Sequence, residues 1–250
     1  MRVLIVGDSH TGALNRGHER LVDDDRLPEG IHFDIHPLGS GARMHTAFWT
    51  QEGDVAVLTD PIYRRRIPVL PPNPHPDAIG LSMPLWSGRV MRGLLQQGST
   101  VAGLPVVQSN TGPLISAAML RLLVAQDMAP ALRLAEFLAG QGIPVFVIEP
   151  PAAFRAYRYV RHAGAEAVVA LQSAIRQLQR DAIGAAGLAI VNQPAEMLDA
   201  DGFTADVHAH EDPSDSHHGN AAFGALMLEA CVPLLRQIAS SAKDTHVASL

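Results

Sequence analysis

Residues 1–14 read MRVLIVGDSHTGAL, and the reading of that stretch decides the fold class. Val3-Leu4-Ile5-Val6 is a short aliphatic run that stops at Gly7-Asp8-Ser9-His10. A run of this kind, ended by glycine and small polar residues, is the signature of a buried strand entering a turn. The apolar positions that follow, through Leu14 to Leu21, predict a helix starting directly after the tetrapeptide. Similar runs near Ile31–Ile35, Val55–Leu58, Ala78–Leu81, Val145–Ile148 and Leu188–Val191 predict further strands. Between them lie helical patterns, the clearest over Ala163–Ile183, where Val168, Leu171, Ile175, Leu178 and Ala182 recur at steps of three and four. A last helix is expected from about Asn220 to Ile238, and Pro130 is expected to split Leu114–Leu138 into two helices. Strands alternating with helices specify an α/β architecture: a three-layer domain with a mostly parallel sheet of about five strands.

At 250 residues, 47% of them hydrophobic and 18% charged, the chain can bury one sizeable core. A single domain spanning 1–250 is the expectation, with a proline-rich insertion near 60–76 that contains Pro61, Pro68, Pro71, Pro72, Pro74 and Pro76 around Arg64-Arg65-Arg66. Proline at that density does not fit a central strand. A formal charge of −6 and a pI near 6.0 provide no electrostatic footprint for nucleic acid. No run approaches the ~20 continuous apolar residues of a membrane helix. The one cysteine, Cys231, excludes an intramolecular disulfide. With no signal-peptide pattern at the N-terminus, the expected location is cytoplasmic. Oligomeric state is left open.

In an open parallel sheet, ligands bind beyond the carboxyl ends of the strands, which is where Ser9 falls. Taken alone, Asp8 or Ser9 is equally a helix cap. A second stretch, Asp212–Asn220, reads DPSDSHHGN just before the last helix. A serine hydroxyl needs a base within hydrogen-bond reach, and the base needs a third group to orient it. His218 with Asp215 three residues ahead supplies both, whereas His217 has Ser214 at that spacing. Read by itself, this stretch is also a solvated, capped turn.

The two stretches together resemble the SGNH hydrolase superfamily, the GDSL-like esterases: "GDSH" after the first strand and an Asp-x-x-His before the C-terminal helix. The "GDSH" form is also similar to the SGNH domains of bacterial polysaccharide O-acetyltransferases. The resemblance implies a flavodoxin-like, doubly wound fold and an acyl-enzyme mechanism on a small acyl or carbohydrate ester. It implies no cofactor and no metal. Carried over residue by residue, Ser9 is the nucleophile, His218 the general base and then acid, and Asp215 its orienter. Gly41, with Gly39 as the alternative, matches the family's oxyanion glycine, although either glycine also suits a plain turn. The oxyanion asparagine is missing: its place falls at Met83 or Pro84, in LSMPLWSG, and loss of one such donor typically costs ~10²–10³ in rate. Ser82 and Asn110 are the candidate substitutes, and Trp49, Trp86 and His45 are candidate pocket residues.

Two rival classes fit parts of the same residues. "VGDSHTG" with "DVHAHEDPSDSHHGN" is similar to the ends of a calcineurin-like metallophosphoesterase, with Asp8, His10, His208 and His210 as ligands of a metal pair. That family's central Gly-Asn-His motif has no counterpart here. A non-catalytic, ligand-binding SGNH-like protein is the other. Within the esterase reading, hydrolysis and acyl transfer to a glycan differ only in whether water or a sugar hydroxyl resolves the acyl-enzyme.

Overall fold

The computed structural model describes the backbone of residues 1–247, apart from 42, 84, 86 and 87, and the side chains of those residues as far as Ser241. In chain order the elements are β1 (Arg2–Gly7), α1 (Thr11–Asp23), β2 (His32–Pro37), β3 (Trp49–Glu52), β4 (Val55–Leu58), α2 (Pro61–Arg64), β5 (Ala78–Ser82) and α3 (Gly88–Gln96). There follow β6 (Thr100–Val101), β7 (Leu114–Ile115), α4 (Ala117–Ala139), β8 (Val145–Ile148), α5 (Val160–Ala163), α6 (Ala165–Ala185), β9 (Ala189–Val191) and α7 (Ala221–Val247).

The main sheet has five strands, all parallel, in the order β2-β1-β5-β8-β9. Alternation along the strands divides the core in two. Val3 and Ile5 of β1, with Phe146 and Ile148 of β8, face α1 and α7; Leu4 and Val6, with Val145 and Val147, face the side covered by α3, α4 and α6. Both faces of the sheet are therefore dry, which is why its strands read as unbroken apolar runs rather than as alternating ones. The fold is the three-layer α/β arrangement expected from the sequence, with β1 inside the sheet.

Helices α1 and α7 approach so closely that a Cβ on Gly224 would stand 1.8 Å from the Ala13 carbonyl oxygen, and one on Gly17 would stand 2.2 Å from the Ala225 nitrogen. The Ala221–Ser241 part of α7 is long and apolar enough, by length and composition, to cross a membrane. Its apolar side is instead used within the fold, where Phe223, Met227, Leu228, Cys231 and Leu235 are buried against α1 and the sheet.

The strand expected at Val55–Leu58 forms, as β4, and lies outside the main sheet: it pairs antiparallel with β3, Glu52 opposite Val55, around a two-residue turn in which Gly53 takes a φ of 62°. A glycine at positive φ between two short runs is a hairpin signal that the strand pattern alone passes over. Pro130 does not split its helix: α4 runs unbroken from Ala117 to Ala139. Val124, Met128, Ala131, Leu134 and Ala135 bury one continuous stripe across the proline, so packing outweighs the single lost backbone bond. The proline-rich stretch starts with α2, capped by Asp60 through the Ile62 N–H, and returns along β4 through an Ala56–Leu70 bridge with Ile67 and Leu70 buried.

Candidate functional site

β1 ends at Gly7, paired with Ser82 of β5 in a contact so close that a Cβ on Gly7 would stand 2.5 Å from the Ser82 carbonyl oxygen. The turn beyond it is built from backbone. The Asp8 N–H donates to the Ser82 carbonyl (3.3 Å), the Asp8 carboxylate accepts from the His10 N–H (2.9 Å), and the Asp8 carbonyl accepts from Thr11 N–H (3.2 Å) and Thr11 Oγ1 (2.7 Å). Asp8 and His10 are thus turned inward and buried while Ser9 between them is exposed. Neither Asp8 nor Ser9 caps α1, whose N-cap is His10 and makes no side-chain cap bond. Burial pushes the Asp8 carboxyl up to about 7, against the His10 N–H and the Arg89 charge, which lower it.

The second loop crosses to meet this turn from the other end of the chain. Ser9 Oγ lies 2.8 Å from His218 Nε2, and His218 Nδ1 lies 2.7 Å from Asp215 Oδ2. The other Asp215 oxygen accepts the backbone N–H groups of His217 (3.2 Å) and His218 (3.1 Å). Partial burial pushes the Asp215 carboxyl up, but the His218 ring and those N–H groups outweigh it and hold the acid well below the usual carboxylate range. An ionised carboxylate only accepts, so His218 Nδ1 carries the proton and Nε2 is the acceptor for the serine hydroxyl.

No family model matches the chain, and no curated protein matches it either. Solved structures do match. An acetyl xylan esterase aligns over 94% of this chain and 99% of its own with a TM-score of 0.51 at 13% identity. A GDSL-like lipase from Bacteroides thetaiotaomicron aligns over 96% and 88% with a TM-score of 0.48 at 16% identity. A putative acylhydrolase from Bacteroides fragilis aligns over 96% and 87% with 0.47 at 13%. The fold is the SGNH hydrolase fold.

On this SGNH scaffold, a cavity of about 530 Å³ opens beside Ser9. Gly41 and Ser40 line it from the segment after β2, and the Gly41 carbonyl is held by Arg89, which also pairs with Asp127 (2.6 Å). Among the described residues, neither the Ser9 nor the Gly41 N–H donates to another group. Gly39 lies instead on a second cavity, packed on Met44.

The two candidates for the missing donor are not at the cavity. Ser82 is buried at the end of β5, where strand pairing directs its carbonyl to Asp8. Asn110 is exposed, its Oδ1 3.4 Å from Thr100 Oγ1, because its loop is tied to α5 through Gln108 N–H to Ala163 and Ser109 N–H to His162. Met83 is core. Pro84 and Trp86 lie outside the described residues. Trp49 donates its indole N–H to the Pro130 carbonyl and stacks near Phe137, a packing role, and His45 borders a separate groove along α3 and α4.

His217 departs from expectation. Its Nδ1 also comes within 3.2 Å of Asp215 Oδ1, and its ring centroid lies 4.0 Å from that of His218. Spacing missed this because a carboxylate has two oxygens and a tight loop presents both. Asp215, His217 and His218 are the described residues whose ligand atoms converge closely enough for a metal. Asp8, His10, His208 and His210 do not form such a group: Asp8 is bonded to the His10 backbone, and His210 Nδ1 accepts the Asp212 N–H.

Sequence reasoning also missed three arginines on the cavity wall, Arg92, Arg158 and Arg176. Arg92 and Arg176 sit in α3 and α6, where they read as ordinary solvated helix positions.

Proposed function

We propose that the protein is a serine ester hydrolase that cleaves a small acyl or carbohydrate ester through an acyl-enzyme on Ser9. The observation that carries this reading is the unbroken chain Ser9 Oγ–His218 Nε2, His218 Nδ1–Asp215, formed by residues 209 positions apart and opening on a cavity. His218 takes the Ser9 proton as the oxygen attacks the ester carbonyl, then gives it to the departing alkoxide. The ester C–O bond breaks, the acyl group stays on Ser9, and water activated by the same imidazole releases it as the acid. Asp215 holds the ring in the required tautomer and stabilises the imidazolium. The Ser9 and Gly41 N–H groups, at the cavity and donating to no other group among the described residues, are the donors this reading assigns to the negative charge as it develops. With two donors instead of three, the rate is expected to lie ~10²–10³ below that of a site with the full set. That the acetyl xylan esterase with this fold acts on an ester is in keeping with the reading.

The test is turnover of 4-nitrophenyl acetate with and without a chelator, together with labelling by a fluorophosphonate. Hydrolysis that resists chelation, and a phosphonate adduct mapped to Ser9, are expected. Activity lost to the chelator and restored by manganese or zinc would overturn the serine mechanism in favour of a metal one.

A further inference from the structure

The cavity wall carries cations without matching anions. Of the arginines around it, Arg89 is paired with Asp127, Arg155 with Asp199 and Asp201, and Arg176 and Arg180 with Glu149. Arg92, on α3, and Arg158, just before α5, have no ion pair among the described residues, although both line the cavity. They reach it from different elements, and the same cavity is lined by His217 and Tyr157, on both of which each charge acts.

The floor adds to this. Glu149 is shared by Arg176 (3.2 Å) and Arg180, so that buried group has two cations to one carboxylate. Arg176 is 6% exposed and uses its terminal nitrogens on Glu149 and on the Pro150 and Pro151 carbonyls; its Nε has no partner among the described residues. Among the described residues, no Asp or Glu borders the cavity. In a chain of net charge −6, a wall of one positive sign is a local reversal of the protein's own field, and low-dielectric walls concentrate it.

We propose that the ester taken by Ser9 carries an anionic group of the carboxylate or phosphate class, held by Arg92 and Arg158 at the side of the cavity next to His217. The inference rests on the ester hydrolase reading for the substrate's reacting end and adds the chemistry of its other end. A guanidinium matches a planar carboxylate or a phosphate through two parallel N–H donors, and two such groups from separate elements fix orientation as well as charge.

Two ester pairs test it and locate the anion: 4-nitrophenyl hemisuccinate against 4-nitrophenyl valerate for the acyl side, and 4-acetoxy-3-nitrobenzoate against its methyl ester for the alcohol side. In one pair the anionic member should have the higher kcat/KM by about tenfold or more at low salt, carried mainly by KM. The advantage should shrink in 0.5 M sodium chloride, where the Debye length falls to only a few ångströms. In Arg92→Gln/Arg158→Gln the anionic-to-neutral ratio should drop at least tenfold, with the melting midpoint read alongside to establish folding. No preference in either pair, or a preference untouched by the double substitution, overturns the inference. If no ester is turned over at all, the ester hydrolase reading falls, and calorimetry with succinate and inorganic phosphate decides the subsite separately. Binding that disappears in the double variant retains it, and no binding to the unsubstituted protein removes it.

Discussion

The turn carrying Ser9 is held from beneath by the sheet, whereas the loop carrying His218 is held by its own side chains. Below Ser9, Gly7 abuts the backbone of Ser82 and Asp8 is tied to the same strand end, so the serine's position is set by the pairing of β1 with β5. The other loop is closed at its base by an Ala209–Gly219 bridge and by Arg16 donating to the Gly219 carbonyl (2.8 Å). Within it, Asp212 accepts from the Ser214 N–H and Asp215 from those of His217 and His218. One partner is placed by long-range strand pairing and the other mainly by short-range polar turns, with Arg16 of α1 as its anchor from outside the loop. Damage to the first should appear as lost stability, and damage to the second as lost chemistry in a protein that stays folded.

The largest effect expected on that division lies in the second loop. His218→Ala should cost about as much in kcat/KM as Ser9→Ala, on the order of 10⁶ in a fully working triad, with the double no worse than either single because the members act as a unit. Asp215→Asn should fall between, on the order of 10⁴, since it removes the orienting charge. His217→Ala should be far milder despite its contact with Asp215, because its ring is not the one bonded to Ser9. Kinetics on one activated ester, with melting midpoints in parallel, measure all of these; a silent His218→Ala beside a crippling His217→Ala would reverse the assignment.

Next in size is the strand side. Gly7→Ala forces a methyl group against the Ser82 backbone, which has no side-chain rotamer to yield, so about 1–3 kcal/mol of stability should be lost in urea unfolding. Ser9 and His218 substitutions should not move the urea midpoint comparably. A Gly7→Ala protein of unchanged midpoint would mean that the turn is not held by the sheet.

The smallest effect sharpens the contrast, because the two buried or half-buried acids should respond to pH with opposite signs. The Asp8 carboxyl is raised by burial to about 7, so the folded state prefers its proton; the stability that proton supports is complete below about 4 and is lost as pH climbs through about 7. Asp215 is lowered, so its contribution is present above the ordinary aspartate range and is lost as pH falls. In melting curves from pH 3 to 8, Asp8→Asn should remove the decline between about pH 4 and 7. It should raise the midpoint at pH 8 by roughly 2–4 °C for each kcal/mol recovered. Asp215→Asn should flatten only the acid limb. If Asp8→Asn melts lower than the unsubstituted protein at pH 8, the buried carboxyl is charged and paired instead.

How far the molecule can be read from its residues follows the same line. The strand-turn-helix at 2–23 was legible because all its signals are local: an aliphatic run, a glycine, polar turn residues and a helical repeat. The Asp215–His218 pair was legible because three residues of loop suffice to bring them together. Pro130 misled because the buried stripe along its helix overrides local propensity; the strand at Val55–Leu58 was legible but its partner was not, since an apolar run does not say which strand it will pair with. Ser82 and Asn110 were right in chemistry for hydrogen-bond donors and wrong in place.

Residue type and order along the chain already dictate an α/β layer fold, a turn presenting Ser9, and a loop in which Asp215 reaches His218, because each depends on contacts spanning a few residues. The meeting of Ser9 with His218 across 209 positions, the second contact from His217 to Asp215, and the gathering of Arg92, Arg158 and Arg176 on one cavity wall come only from folding. Those distances are set by how α3, α6 and the loops after β2 and β8 pack around the sheet, and no local pattern in the chain encodes a separation between elements that touch only through the core.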